Sequence, residues 1–212
     1  KCRSSYAACA GRMTPLATAA APILQAAQLA AENGPALLAI DGRCGSGKST
    51  LAEFLAGQLG CRVVHTDDFY LPLAARCVNW QEQPGANMDF IRLRNEVLQP
   101  LLCGKTALYN AYSCAAGAFL PSKPFAAAPL TILEGSYSLH PALAPMYDLS
   151  VCLTLSPELQ RRRILARNGE AMARRFFERW IPLEQAYFDA MKPQTRCGFL
   201  FEADQLSDEA PL

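Results

Sequence analysis

Short apolar runs alternate along the chain with segments whose apolar residues recur at helical spacing. Each run is bounded by Pro, Gly or Asp, and the five runs are Leu37–Ile40, Arg62–His65, Leu130–Leu133, Leu149–Leu155 and Phe199–Phe201. Strands that are apolar throughout are typical of parallel sheets covered on both faces, whereas half-exposed strands alternate apolar and polar residues. The pattern therefore predicts an α/β domain with a mostly parallel sheet.

Two of the segments between these runs predict helices that pack on the sheet. The first begins at Lys48 and ends near Gly60, and its apolar positions lie on one face: Leu51, Phe54, Leu55 and Leu59. The second follows Asp89, a good N-cap, and closes at Pro100 and Gly104. Its apolar positions are Phe90, Leu93, Val97, Leu98 and Leu101.

Two longer stretches, Leu71–Met88 and Tyr109–Pro129, have little periodicity and are rich in Pro, Gly, Ser and Asn. We expect long loops there, and such loops commonly carry function in a compact domain. A chain of 212 residues fits one domain, which we place at residues 34–212, after an extension and a helix at 1–33. Polar residues interrupt the Ala-rich stretch at 16–31, which favours a surface helix over a signal peptide or a membrane span.

The composition restricts the class of partner. Apolar residues make up 51% of the chain, which disfavours disorder, and 20 basic residues against 19 acidic ones leave a net charge of +1. A nucleic-acid groove or a membrane-surface patch depends on an excess of positive charge, so we expect neither. We expect a small-molecule substrate and leave open whether the chain forms a homo-oligomer.

The nine cysteines are scattered without a CxxC pair, and the chain has only two histidines. This spacing argues against a disulfide framework and a zinc module, and it favours reduced thiols in a cytoplasmic protein. Cys44 lies close to a predicted helix N-terminus, where the pKa of a thiol tends to fall. Two interpretations stay open: a thiol whose oxidation or alkylation blocks nucleotide binding, and a small residue tolerated in a loop.

The segment Gly42–Ser49 fits the pattern GxxxxGK[ST] in full, between a predicted strand and a predicted helix. Glycines let the main chain curl so that N–H groups point at phosphate oxygens, and the helix N-terminus adds partial positive charge. We expect Lys48 to neutralise the outer phosphates of ATP and the Ser49 hydroxyl to bind Mg²⁺. The predicted ATP-binding residues are Gly42, Arg43, Cys44, Gly45, Ser46, Gly47, Lys48, Ser49 and Thr50.

Acidic residues follow two of the predicted strands. Asp67 and Asp68 come directly after Arg62–His65, at the edge where open parallel sheets bind ligands. We expect Asp67 to accept the proton of an attacking hydroxyl, and Asp68 to bind the acceptor or to cap a turn. Glu134 ends the strand that begins at Leu130, which predicts a carboxylate near the Mg²⁺ shell.

A local excess of basic residues follows the fourth predicted strand. Residues 161–179 include seven arginines and two glutamates, with a helix break predicted at Asn168-Gly169. The pattern predicts a hinged lid over residues 161–180 that closes arginines over transferring phosphates, and a solvated helix face is the alternative. Arg163 and Arg167 are spaced i, i+4 and therefore share a helix face.

Together these motifs resemble the uridine kinase and phosphoribulokinase group of P-loop enzymes. Six runs occur in the order typical of bacterial uridine-kinase-like proteins: DGRCGSGKSTLA, HTDDFYLP, NMDFIRL, ILEGSYSLHP, RRRILARNG and WIPLEQAYF. The resemblance extends from about Ala36 to Phe188, and the combination of the loop with DDFY and EGSY is more specific than the loop alone. It implies a P-loop NTPase three-layer αβα sandwich with a helical, arginine-rich lid.

The resemblance also implies ATP-dependent phosphorylation of a primary hydroxyl on a nucleoside, with uridine or cytidine as the best-known acceptors. It assigns the general base to Asp67 and the acid near magnesium to Glu134. It further implies that Arg163 and Arg167 reach the phosphates, alongside Lys48. The expected substrate-binding residues are Asp68, Tyr70, Asp89, Tyr112 and Tyr137.

One stretch departs from the family pattern. Where the family has Tyr-Asp followed by His or Arg, this chain has Tyr112 followed by Ser, Cys and two Ala residues. The missing polar groups help to hold the nucleoside, and hydrogen-bonding groups are what reject near-analogues strongly. Alternative acceptors therefore stay open, namely nicotinamide riboside, pantothenate or a sugar phosphate, as does a nucleotide-binding regulatory module without acceptor chemistry.

Overall fold

A computed structural model of the chain describes residues 15–204. In chain order its strands are β1 (Ala36–Gly42), β2 (Arg62–His65), β3 (Ala107–Tyr109), β4 (Tyr112–Ser113), β5 (Ala118–Phe119), β6 (Lys123–Phe125), β7 (Leu130–Glu134), β8 (Leu149–Thr154) and β9 (Phe199–Glu202). Five of them form one sheet in the order β2-β7-β1-β8-β9, and every pair in it is parallel. The predicted parallel sheet is confirmed, with strand ends shifted by one or two residues.

The helices are α1 (Pro15–Glu32), α2 (Lys48–Leu59), α3 (Phe90–Arg92), α4 (Gln99–Leu102), α5 (Pro157–Arg175) and α6 (Ile181–Met191). A π-helical segment, Leu93–Leu98, joins α3 to α4, and a second, Phe176–Trp180, joins α5 to α6. The predicted helix starts are confirmed: α2 begins at Lys48, and the Asp89 carboxylate caps α3 by accepting from the Arg92 N–H at 3.0 Å.

Helices cover both faces of the sheet, which gives three layers. Successive residues of β1 face opposite sides, and all seven are buried. On one side Leu38 and Ile40 join a cluster with α1 and α2, including Ala20, Ile23, Ala27, Leu51 and Leu55. On the other side Leu37 and Ala39 join a cluster with the later helices, including Leu93, Val97, Leu98, Tyr187 and Phe188.

The two stretches expected to be loops are more ordered than their composition indicates. Leu71–Met88 contains two 3₁₀ turns, Leu73–Ala75 and Trp80–Glu82. Within Tyr109–Pro129 the loop prediction is wrong in part, because β3 pairs antiparallel with β6, and β4 pairs antiparallel with β5. Strands of two or three residues are too short to show the apolar alternation from which a strand is predicted.

The predicted helix break lies inside α5, where Gly169 has φ 69° and ψ 167°. That backbone conformation is rarely adopted by a residue with a side chain, so glycine is required there. No helix among residues 15–204 is both long enough and apolar enough to span a membrane. Residues 1–14 of the predicted extension and helix at 1–33 lie outside the described residues.

Candidate active site

The glycine-rich loop begins where β1 reaches β8. A Cβ on Gly42 would lie 2.5 Å from the Leu153 carbonyl oxygen, so only glycine fits this close approach. The Arg43 N–H donates to the same oxygen at 3.1 Å. Further along, the Lys48 ammonium donates to the carbonyl oxygens of Gly42, at 2.8 Å, and Arg43, at 3.1 Å. The loop therefore curls around the Lys48 ammonium and leads into α2.

A cavity of about 670 Å³ lies over this loop. Most of the residues predicted to act at the site line it together: Cys44, Gly45, Ser46, Gly47, Lys48, Ser49, Thr50, Asp67, Tyr70, Glu134, Tyr137, Arg163 and Arg167. They come from four separate parts of the chain, which the parallel sheet brings to one edge. Five other predicted residues do not line it: Gly42, Arg43, Asp68, Asp89 and Tyr112.

Asp67 lies in a 3₁₀ turn, Thr66–Phe69, that directly follows β2. Its carboxylate is open to the cavity, and the Tyr70 hydroxyl donates a hydrogen bond to it. Enclosure by the surrounding protein raises the pKa of Asp67, while the nearby Lys48 ammonium lowers it. Burial raises the pKa of Tyr70 most, and the Asp67 charge raises it further. The Tyr70 hydroxyl therefore keeps its proton and donates the hydrogen bond. Burial outweighs these two contacts, so the Asp67 carboxylate binds a proton more tightly than a free aspartate does.

Glu134 ends β7 between the carboxyl ends of β1 and β2, in register with Ile40 and His65. It is buried, and each of its carboxylate oxygens lies 3.3 Å from Ser49 Oγ. His65 Nδ1 lies 2.8 Å from Glu134 Oε1, and this hydrogen bond raises the pKa of His65.

A hydroxyl and a carboxylate that converge in this way are hard oxygen donors, which suit Mg²⁺ when phosphate and water complete the shell. The donor set of Ser49 and Glu134 therefore fits the predicted magnesium role. No group of three or more His, Cys, Asp or Glu side chains suited to holding a metal ion occurs in residues 15–204.

The loop after β7 brings Tyr137 into the same cavity as Asp67. Tyr137 is buried and has φ 71°, a conformation that bulky residues rarely adopt and that is enriched at functional sites. The Asn87 side chain hydrogen-bonds to its hydroxyl, and Asn87 is itself buried against the cavity. Asn87 was not among the residues predicted from the sequence, although it lies two positions before Asp89.

Two arginines of α5, Arg163 and Arg167, point at the glycine-rich loop. Arg163 Nη1 donates to the Gly45 carbonyl oxygen at 3.0 Å, and Arg167 Nη2 lies 3.6 Å from Cys44 Sγ. Both guanidinium groups line the cavity. The i, i+4 spacing thus places two cations over neighbouring loop residues, while Arg174 pairs with Glu178 in solvent.

The predicted residues outside the cavity have other partners. Asp68 accepts a hydrogen bond from the Tyr109 hydroxyl at 2.9 Å. Asp89 caps α3, and the Tyr112 ring packs edge-on against Phe119 with centroids 5.3 Å apart. The Arg43 guanidinium lies over the Phe188 ring at 4.5 Å. The sequence predicted the Asp89 cap, whereas the ring contacts of Tyr112 and Arg43 could not be predicted from the motifs.

The expected pKa of Cys44 is wrong in direction. Burial raises the pKa of the Cys44 thiol, and the Glu184 carboxylate raises it further, against the lowering effects of Lys48 and Arg167. The helix begins only at Lys48, so the thiol is not at its N-terminus. All seven cysteines among the described residues are free.

Two buried carboxylates behind the glycine-rich loop were not predicted from the sequence. Asp41, on β1, accepts hydrogen bonds from the N–H groups of Gly42 and Leu139 and from the Tyr187 hydroxyl. Glu184, on α6, lines the cavity and accepts a hydrogen bond from the Cys44 N–H. A charged residue on the apolar face of a helix was the signal for Glu184, since Tyr187 and Phe188 follow it at i+3 and i+4.

Solved structures share this arrangement of strands and helices. A possible uridine kinase from Bacillus stearothermophilus is similar with a TM-score of 0.61 and 20% identity, over 85% of this chain and 99% of that one. A candidate fructose transport system kinase from Silicibacter sp. TM1040 is similar with a TM-score of 0.70 and 22% identity, over 90% of this chain and all of the other. No protein-family model and no curated protein matches the sequence. The chain therefore has the P-loop kinase fold.

Proposed function

We propose that the chain is an ATP- and Mg²⁺-dependent kinase that transfers the γ-phosphate of ATP to a hydroxyl of a small molecule. The observation that carries this proposal is the single cavity in which a phosphate-binding loop, the Asp67 carboxylate and two arginines face one another. A nucleotide hydrolase needs only the loop and a positioned water. A kinase also needs a base beside an acceptor pocket, which Asp67, Tyr70 and Asn87 supply.

In the proposed reaction the acceptor oxygen attacks the γ-phosphorus while its proton passes to the Asp67 carboxylate. The bond from the γ-phosphorus to the bridging oxygen breaks, and ADP leaves. Lys48, Arg163 and Arg167 stabilise the negative charge on the transferring group. Ser49 and Glu134 would hold Mg²⁺, which would neutralise charge on the β- and γ-phosphates.

We propose a nucleoside as the acceptor, with uridine or cytidine preferred. Support comes from the resemblance in sequence and from the structural similarity to a possible uridine kinase. Tyr70, Asn87 and Tyr137 offer aromatic faces and hydrogen-bonding groups, which suit a ribose and its base. Cys114, from the stretch that departs from the family pattern, also lines the cavity, so the contacts to the base differ from the family's.

The test is a panel of acceptors with ATP and Mg²⁺: nucleosides, nicotinamide riboside, pantothenate and sugar phosphates. We expect a phosphorylated nucleoside, detected by mass, with ADP formed in equal amount. Asp67→Asn should lower kcat by about 10² to 10⁴-fold while ATP binding is retained. Gln185→Ala, on the exposed side of α6, is the control and should match wild type.

Two outcomes would contradict the proposal. Full turnover in Asp67→Asn would remove Asp67 as the base. Tight ATP binding without a phosphorylated product from any acceptor would favour a nucleotide-binding regulatory module instead.

A further inference from the structure

Cys44, in the glycine-rich loop, is held through both of its main-chain polar groups by side chains from outside the loop. Its N–H donates to Glu184 Oε2 at 2.5 Å, and its carbonyl oxygen accepts from Gln160 Nε2 at 3.0 Å. The same Gln160 nitrogen lies 2.9 Å from Glu184 Oε1. The three residues thus form a closed hydrogen-bonded set, which we call the Cys44 anchor.

The two side chains of the Cys44 anchor come from opposite ends of the predicted lid, residues 161–180. Gln160 lies on α5 directly before the lid begins, and Glu184 lies on α6 four residues after it ends. Only 4% of Gln160 and 6% of Glu184 are exposed, so water cannot readily replace these bonds. Both ends of the lid therefore meet at one residue of the loop.

The negative charge of Glu184 is compensated by two cations of the glycine-rich loop, Lys48 and Arg43. Burial raises the pKa of its carboxyl, and the Lys48 ammonium is the largest influence in the opposite direction. The Arg43 guanidinium lies 3.8 Å away from Oε1. A buried carboxylate without such partners would cost several kcal/mol, so its place beside the loop depends on these cations and on the two hydrogen bonds.

Between the two ends, the lid arginines rest on the same stretch of loop. Arg163 donates to the Gly45 carbonyl oxygen, and Arg167 contacts the Cys44 sulfur. Arg163 lies three residues, almost one helical turn, after Gln160, so fixing Gln160 fixes the height and rotation of Arg163 over the loop. The helix break at Gly169 comes only after both arginines.

We propose that Glu184 and Gln160 are positioning residues that fix both ends of the lid to Cys44 and thereby set Arg163 and Arg167 over the phosphates. The catalytic consequence rests on the proposed kinase function, whereas the anchoring of the lid does not. In this proposal the Cys44 N–H donates to Glu184 and serves the Cys44 anchor.

The anchoring is tested on the full chain by limited digestion with trypsin, because Arg174 in the lid is exposed. Glu184→Ala and Gln160→Ala should each speed cleavage within residues 161–180 about tenfold, since each removes two buried hydrogen bonds of the Cys44 anchor. Gln185→Ala, which removes an exposed side-chain hydrogen bond to Asp189, should leave the rate unchanged. Unchanged cleavage in both anchor variants, or faster cleavage spread evenly over the chain, would overturn the proposal.

The catalytic consequence is tested with the same variants. Glu184→Ala should lower kcat about 100-fold, because small misplacements of phosphate-contacting groups have effects of that size, while the Kd for ADP changes less than about threefold. Glu184→Gln keeps an acceptor oxygen for the Cys44 N–H and should recover part of kcat.

The two proposals fail separately. If no acceptor is phosphorylated by the wild type, the kinase function fails while the trypsin result still decides the anchoring. Wild-type kcat in Glu184→Ala, or an equal loss in Gln185→Ala, would overturn the positioning role. Equal loss in Glu184→Gln and Glu184→Ala would do the same, because the retained oxygen would then have no effect.

Discussion

The replacement of Tyr187 by Phe tests the buried contact between α6 and β1, the strand that precedes the glycine-rich loop. Asp41 is fully buried, and its carboxylate accepts from Gly42 N–H at 2.7 Å, Leu139 N–H at 2.9 Å and the Tyr187 hydroxyl at 2.7 Å. Phe keeps the ring that packs edge-on against Tyr137, with centroids 4.8 Å apart. The substitution therefore removes one hydrogen bond and leaves the apolar packing in place.

The expected loss follows from the charge and burial of the acceptor. A hydrogen bond to a charged group contributes about 1.5–3 kcal/mol, so at a pH at which Asp41 is ionised we expect the free energy of unfolding to fall by about 2 kcal/mol. For a chain of this size the Tm should fall by roughly 4–8 °C. Burial raises the pKa of Asp41, and the Tyr187 bond favours the ionised form. The loss should therefore shrink as the pH falls, because a protonated Asp41 depends less on its donors.

The measurement is urea unfolding followed by far-UV circular dichroism at two pH values, with an unchanged slope m as the sign of an unchanged unfolding reaction. Tyr109→Phe is the matched control, because it removes a Tyr–Asp hydrogen bond of 2.9 Å to the half-exposed Asp68. Water can replace that bond, so the loss there should be about 0.5 kcal/mol. Equal losses in the two variants, or none in Tyr187→Phe, would refute the reasoning.

Two further predictions concern the loop and the base. A base must be deprotonated to act, and the pKa of Asp67 is raised. As the pH is lowered, kcat/KM should therefore begin to fall at a higher pH than it would with an ordinary aspartate as the base. Tyr70→Phe removes a bond that lowers this pKa, so the acid limb of the pH profile should move further up; a limb that stays in place would contradict the assignment. Gly42→Ala would push a Cβ to 2.5 Å from the Leu153 carbonyl oxygen and should cost about 1–3 kcal/mol of stability, measured by urea unfolding. Gly57→Ala, on α2 with no atom within 4 Å of the added carbon, is its control.

The parts of the site that lie next to strand ends could be predicted from the sequence. A buried strand, a glycine-rich loop and a helix are local features, and the motif specifies them within about 20 residues. Asp67 and Glu134 follow two other apolar runs, and parallel strands bring their carboxyl ends to one edge. The strand order β2-β7-β1, which the structure gives, then brings them to Lys48 and Ser49.

Contacts that depend on the path of a loop or the rotation of a helix could not be predicted. Asp89 was predicted both as a helix cap and, from the resemblance, as a substrate-binding residue. The cap is confirmed, and Asn87, two residues earlier, is the one that lines the cavity. Tyr112 likewise packs on Phe119 in a pair of two-residue strands. Which of two neighbouring polar residues faces a cavity is set by the backbone between them, for which composition carries no signal.

The sequence by itself determined the parallel sheet, the phosphate-binding loop and the two carboxylates at its edge, because each depends on apolar runs and motifs that are contiguous along the chain. Only the tertiary structure decided that Gln160 and Glu184, 24 residues apart, meet at Cys44, and that Asp41 meets Tyr187 across 146 residues. Those contacts join side chains whose partners lie far along the chain. Their geometry is fixed by how α5 and α6 pack against the sheet, which no local pattern encodes.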